Sequence, residues 1–237
     1  MASKDVAVPQ NSVLVELRDV TRVDPQRQTT LLHATDFQLR GGDQVAITGA
    51  SGSGKSVLLR TLALLDAPDT GQVLWRGERV TSAQVPEYRR HVGYLSQRPA
   101  MVDGTVEDNL RLPFSLKVFS GERFNLTAVT ELLAAAGKTP DFLQHTAADL
   151  SGGESQVVAL LRLLQTGPDV LLLDEPTAAL DPASARAVEH LVQTWFERGS
   201  ASARAYVWVS HDDEQARRVS NRRMTMDAGS FMEIQAP

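Results

Sequence analysis

The chain has 237 residues, a formal net charge of −5, 42% hydrophobic and 22% charged residues, and no cysteine. That length suits one large domain, or a core with a subdomain, without covalent staples. The composition excludes a disulfide framework, a thiolate metal site and a cysteine nucleophile, and its acidic balance disfavours a protein that tracks nucleic-acid phosphates.

Residues 1–12 read as a flexible tail, lacking the apolar stretch of a signal peptide and a glycine after Met1 for a myristoyl chain. Val13–Val20 and Leu32–Leu39 alternate in part between apolar and polar residues and are predicted as half-exposed strands. Gly41-Gly42-Asp43 turns the chain into a third strand, Gln44–Thr48, which a glycine-rich loop follows. A helix is expected over Ser56–Leu65, stopped by Pro68 and Gly71. Gln72–Trp75 and Val92–Ser96 read as further strands, and helical segments dominate from Pro99 to Thr166. There Asn125 is the predicted cap and Gly137 the predicted stop of a helix over Leu126–Ala136.

Strand and helix then alternate. Val170–Leu173 is a continuous apolar run, expected to be a buried strand. Asp181, Pro182 and Gly199 frame a helix over Pro182–Arg198. Ala205–Ser210 reads as a strand, Asp212–Val219 as a helix, and the chain from Arg222 as a hairpin around Gly229. This order implies an α/β fold with a mainly parallel, covered sheet. One domain, 13–237, would consist of core segments 13–98 and 167–237 and a helical subdomain, 99–166. No apolar run approaches the roughly 18 residues of a membrane-spanning helix. The expectation is a cytoplasmic protein that something else must hold if it works at a membrane.

Three stretches carry chemistry. Gly49-Ala50-Ser51-Gly52-Ser53-Gly54-Lys55-Ser56 fits the phosphate-loop pattern. Its glycines let backbone N–H groups turn towards a polyphosphate, and the next helix adds the positive end of its dipole. Lys55 can reach the β and γ phosphates, and the Ser56 hydroxyl can ligate Mg²⁺. In Val170-Leu171-Leu172-Leu173-Asp174-Glu175 an apolar strand delivers two carboxylates to its C-terminal edge, where ligands of such sheets bind. Asp174 is placed to hold Mg²⁺ through water, and Glu175 to orient an attacking water. Leu150-Ser151-Gly152-Gly153-Glu154 opens a helix with a second anion-binding surface. Alone, it is only a well-capped helix start.

With these motifs the chain resembles the ATP-binding subunits of ABC transporters, from about Val13 to Phe231. Tyr94-Leu95-Ser96-Gln97 is similar to that family's Q-loop, Ala179-Leu180-Asp181 to its D-loop, and Val209-Ser210-His211-Asp212 to its switch histidine. The resemblance implies a phosphate-loop NTPase core of the RecA-like type with an N-terminal antiparallel β part. It implies ATP and Mg²⁺ as ligands, with Val57 counted in the nucleotide-binding loop. Two subunits, as a homodimer when ATP is bound, would pair head to tail. Ser151, Gly152 and Gly153 of one would then meet the nucleotide held by the other. Gln97 would contact Mg²⁺ or the attacking water, His211 the γ-phosphate, and Asp181 the shared interface. The chain would lie on the cytoplasmic face of the membrane through a separate polytopic permease, with no nucleic-acid partner. The alternative is a soluble ABC ATPase of cofactor assembly, of the iron–sulfur type.

Several residues depart from the pattern. Phe37 is the only aromatic before Gly49, at a core position, and the usual adenine-stacking place falls near Val23 or Asp24. Adenine is therefore expected to be held by apolar contact. Val57 stands for the common Thr, Glu154 for Gln, and Val157 for Arg. Phe114, Phe119 and Phe124 read as subdomain core or as an apolar rim for a membrane subunit. Arg217, Arg218, Arg222 and Arg223 read as a solvated face or as a contact for anionic lipid. Asp103–Leu110, with Tyr88-Arg89-Arg90 and Val92-Gly93-Tyr94, resembles the small bacterial ATPases paired with iron exporters.

Overall fold

The computed structural model describes residues 12–178, 180–198 and 203–232. Ala179, Gly199 and all of the expected tail but Ser12 lie outside the described residues.

Four strands form an antiparallel sheet in the order β2-β1-β4-β5: β1 (Val13–Val23), β2 (Thr30–Arg40), β4 (Thr70–Trp75) and β5 (Glu78–Arg79). Six form the second sheet in the order β10-β9-β3-β8-β7-β6: β3 (Gln44–Thr48), β6 (Val92–Leu95), β7 (Val170–Asp174), β8 (Ala205–Val209), β9 (Arg222–Asp227) and β10 (Ser230–Met232). Every pairing in this sheet is parallel except the β9–β10 hairpin. Parallel strands end on one edge, so the residues that follow β3, β6, β7 and β8 are gathered there.

The helices are α1 (Lys55–Leu62), α2 (Val85–His91), α3 (Val106–Arg111), α4 (Leu126–Ala135), α5 (Gly152–Leu164), α6 (Pro182–Arg198) and α7 (Asp213–Arg218). Between Leu95 and Val170 the described residues form helices and turns, with one isolated bridge, Thr105 to Thr146. Asn125 caps α4 by accepting from the Ala128 N–H, as its position predicts.

The larger sheet separates two cores, which explains the unbroken apolar run of β7. Val170 and Leu172 pack with α1 and the antiparallel sheet, while Leu171 and Leu173 pack with α3, α4, α5 and α6. The same alternation holds in β8, where Val207 and Val209 face one core and Tyr206 and Trp208 the other. A strand buried on both faces has no polar side to display.

Local differences from the sequence reading have physical causes. Helix α1 ends at Leu62, well before Pro68. Leu64 turns left-handed at φ 53°, and the Leu65 and Asp66 N–H groups take the Arg60 carbonyl. Arg60 also pairs with Asp66 at 2.7 Å, which holds the exit from the helix. The β4–β5 hairpin was not expected from the apolar pattern. Its signal is Arg76-Gly77, both at positive φ (52° and 85°), as the tightest hairpin turn requires. Helix α2 was not expected either, being short, with Tyr88 as its only buried residue.

The two-sided burial of β7 has a measurable consequence. Leu171→Ala and Leu172→Ala should each destabilise the protein, by about 2–5 kcal/mol in urea unfolding. A tolerant response at either position would mean that one face of the strand is not core.

Candidate functional site

The glycine-rich loop leaves β3 at Gly49 and enters α1 at Lys55. Gly49 has φ 142°, and a Cβ there would stand 2.1 Å from the Met226 carbonyl oxygen of β9. Gly54 has φ 101°, and a Cβ there would stand 2.8 Å from the Leu31 carbonyl oxygen. Side chains are thus barred where the loop presses on neighbouring backbone. The Gly229 N–H donates to the Ser53 carbonyl at 2.9 Å, so the β9–β10 turn buttresses the loop from behind.

Lys55 is almost fully buried. Its ammonium donates to the carbonyls of Gly49 and Ala50, both at 2.8 Å, and to Ser53 Oγ at 3.3 Å. Burial pushes its pKa down, while Glu175 and Asp174 oppose that shift. The curled loop therefore encloses a cation. Gly54 is the N-cap of α1, and no side chain caps that end. Uncapped helical N–H groups beside a lysine are what a polyphosphate needs. Val57 turns its side chain to the core below.

Asp174, at the end of β7, is buried. It accepts from the Ser56 hydroxyl at 2.9 Å and from the Tyr94 hydroxyl at 2.9 Å. Mg²⁺ prefers a few hard oxygen donors from the protein and takes the rest from phosphate and water. A serine hydroxyl against a carboxylate fits that requirement. Among the described residues no cluster of three or more His, Cys, Asp or Glu would bind a metal by itself.

Glu175 follows in the left-handed region, at φ 48°. Such a backbone costs about 1–3 kcal/mol for a residue with a side chain. The turn brings its carboxylate between two loops, with 14% of the side chain exposed. Gln97 Nε2 donates to Oε2 at 2.8 Å, and His211 Nε2 pairs with Oε1. Gln97 comes from beyond β6 and His211 from beyond β8.

The structure thus brings together Lys55, Ser56, Gln97, Asp174, Glu175 and His211, which the sequence suggested separately. Tyr94 belongs to the same cluster but was not singled out as a site residue. Its place three residues before Gln97, near the end of β6, was the available signal.

Ser151, Gly152 and Gly153 are not brought to the phosphate loop. They open α5, where Ser151 Oγ accepts from the Glu154 N–H at 3.2 Å and Glu154 returns to the Ser151 N–H at 3.1 Å. A Cβ on Gly153 would meet Ser184 Oγ at 3.3 Å, so this stretch faces the start of α6. There Asp181 accepts from the N–H groups of Ala183 (2.9 Å) and Ser184 (3.1 Å). The Ser184 hydroxyl, chiefly, holds the Asp181 carboxyl below its usual pKa.

The departures from the pattern also find places. Phe37 is buried and stacks on Phe231 at 5.8 Å, so it is core. Asp24 closes a turn by accepting from Gln26 N (2.8 Å) and Arg27 N (3.1 Å). Val157 is buried in the core shared with α4 and α6. The neighbouring Gln156, also buried, donates to the Ser96 carbonyl at 3.3 Å and ties α5 to the segment carrying Gln97. Of the four arginines, Arg218 chelates Glu189, and Arg222 reaches Asp43 and lies over Phe37.

The sequence pattern of the ABC transporter family matches residues 32–178. The chain belongs to that family. Protein STAR1 of rice (Oryza sativa subsp. japonica) is 39% identical over 224 residues, covering 94% of this chain and 63% of the rice protein. The probable iron export ATP-binding protein FetA of Escherichia coli (strain K12) is 34% identical over 206 residues, covering 87% of this chain and 88% of FetA. The ATP-binding cassette MJ0796, solved as a dimer in a post-hydrolysis state with ADP and Pi, superposes with a TM-score of 0.80 at 26% identity. That match covers 94% of this chain and 100% of the cassette. The chain is thus an ATP-binding, ATP-hydrolysing cassette of the ABC type, and ABC transporter cassettes work as dimers with membrane permeases. Among the described residues no helix is long and apolar enough to cross a membrane.

The cap of α5 carries a pH signature. Lys138, at 2.9 Å, and the Ser151 N–H lower the Glu154 pKa from 4.5 to about 2. A lowered folded-state pKa contributes stability above the unfolded value and loses it as pH falls through the folded one. Glu154→Gln should therefore lower the urea midpoint at pH 6, and the gap to the parent should narrow as pH falls below 4.5 towards about 2.

Proposed function

We propose that this cassette binds Mg²⁺-ATP on the Gly49–Ser56 loop and hydrolyses it with Glu175 as the residue that directs water. The observation that carries this reading is the Glu175 carboxylate held between Gln97 and His211, beside the Asp174–Ser56 pair, on one sheet edge. As a carboxylate, Glu175 can accept a proton from water while His211 and Gln97 fix its direction. Lys55 would exchange its loop carbonyls for phosphate oxygens, and His211 would stabilise charge that develops on the γ-phosphate. Ser56 and Asp174 would hold Mg²⁺, which when bound neutralises charge on the terminal phosphates. Val23 and the turn closed by Asp24 would give adenine apolar and edge contacts without a stacking ring.

At the helix-opening stretch Ser151–Gly153, Gly153 borders Ser184 at the start of α6, and none of the stretch's hydrogen bonds among the described residues reaches the phosphate loop. A second copy would therefore supply this stretch to each ATP. Asp181, capping α6 beside it, would lie at the same junction.

The partner that moves with ATP would be a polytopic permease. A groove of about 320 Å³ beside Gln97 is lined by Tyr94, Ser96, Leu112, Leu116, Phe119 and Arg162, and Leu116 is 54% exposed. Phe114 packs against Phe119, which lines this groove, and against Phe124, each at 6.2 Å. It suits an apolar helix end from a membrane subunit. The likeness to FetA, named a probable iron export ATP-binding protein, supports iron export as the process served. Co-purification of a polytopic membrane protein with the full chain tests this. A soluble scaffold in its place would favour the cofactor-assembly alternative.

Two variants test the site. Glu175→Gln should bind ATP, accumulate as a dimer and lower phosphate release roughly 10²-fold or more. Hydrolysis at the parental rate would remove Glu175 from its assigned role. Tyr94→Phe should weaken Mg²⁺-dependent ATP binding roughly tenfold in calorimetry, since one donor to a charged group is lost. Binding without Mg²⁺ should be unchanged.

A further inference from the structure

Glu175 and His211 stand on two different turns, and both turns border a cleft of about 560 Å³ rather than packed core. The β7–β8 ladder fixes the two chains as far as Asp174 and Val209, and beyond it the turns run along the cleft. One buried side chain ties the two turns together. We propose that Gln215 is a positioning residue that sets the spacing between Glu175 and His211. The proposal rests on the reading of Glu175 as the residue that directs water.

Gln215 lies in α7 and is 7% exposed. Its Oε1 accepts from Ser210 Oγ at 2.8 Å and from Trp208 Nε1 at 3.3 Å. Its Nε2 donates to Thr177 Oγ1 at 2.8 Å and to Glu189 Oε1 at 2.7 Å. Ser210 immediately precedes His211, and Thr177 follows Glu175 by two residues. Glu189, in α6, is itself anchored by Arg218 through two bonds, at 2.9 and 2.8 Å. One amide thus joins the end of β8, the turn after β7, and helices α6 and α7.

The chemistry of the junction requires an amide. Ser210 and Trp208 need an acceptor, while Glu189 needs a donor, and one side chain serves both. Leucine offers neither. A carboxylate keeps the acceptor but is set against the Glu189 carboxylate, where like charges repel. Glu175 occupies a left-handed backbone at φ 48°, which persists only where neighbouring contacts hold it. The Thr177 arm of the junction is such a contact. Without it, the carboxylate would sample positions away from His211 and Gln97, and small displacements of reacting groups cost large factors in rate.

ATP hydrolysis by the purified full chain tests this. Gln215→Leu should lower kcat roughly tenfold, with KM for ATP and affinity for a non-hydrolysable ATP analogue within about twofold of the parent. Gln215→Glu should be slow as well. Combined with Glu189→Gln, which exchanges amide and carboxylate across the same contact, it should recover most of the parental kcat. A purely structural role would not show this split or this rescue. Should Gln215→Leu fail to fold, the exchange pair carries the test. The proposal falls if folded Gln215→Leu hydrolyses ATP at the parental rate, or if the folded double variant stays as slow as Gln215→Glu. Glu175→Gln, measured in parallel, separates the two layers. If it hydrolyses normally, the underlying reading fails and this one with it. If it is inactive while Gln215→Leu is normal, only the positioning role is lost.

Discussion

The burial of β7 on both faces is the constraint on which the site depends. Val170–Asp174 lies between two cores, and every residue of the strand is buried. A slip of one residue would exchange the two core faces and pull the buried Asp174 carboxylate off its partners. That carboxylate must be hydrogen-bonded where it stands, because burial without partners is costly. Ser56 and Tyr94 provide the bonds, and so β7 fixes the relation of the phosphate loop to the strand that leads to Gln97.

The next residue converts this rigidity into a usable group. Glu175 leaves the strand in a left-handed turn and points its carboxylate at the mouths of β6 and β8. The strained backbone is held by polar contacts on both sides. Gln97 and His211 grip the carboxylate, and the Gln215 junction grips the turn that follows. Gln97, Glu175 and His211 arrive on loops, while the strands that launch those loops are locked in register.

The two helix starts that carry glycine-rich stretches differ in their electrostatics. Helix α1 has no side chain at its N-cap and a buried lysine beside it, so its N–H groups are free to meet an anion. Helix α5 is closed by Ser151 and Glu154, with Lys138 balancing the carboxylate. The first is built to hold a charged ligand within one chain. The second is stable without a ligand and faces α6, which suits a surface completed from outside.

Much of this molecule was determined by the sequence alone. The order of strands and helices, the phosphate loop, the paired carboxylates and the capped starts of α4, α5 and α6 all follow from local patterns, because periodicity, glycine placement and capping act over a few residues. The exit of α1 at Leu64, the Arg76-Gly77 hairpin and the short α2 were less legible, since single positive-φ residues and brief helices leave weak signals. The tertiary structure alone decided that Tyr94 and Ser56 share Asp174, that Gln97 and His211 share Glu175, and that Gln215 links Thr177, Glu189, Trp208 and Ser210. It also decided that Gly153 borders Ser184 at the start of α6. These contacts join residues distant along the chain and depend on the order of strands in the sheet. No local pattern encodes that order, which arises when the two cores close on the two faces of β7.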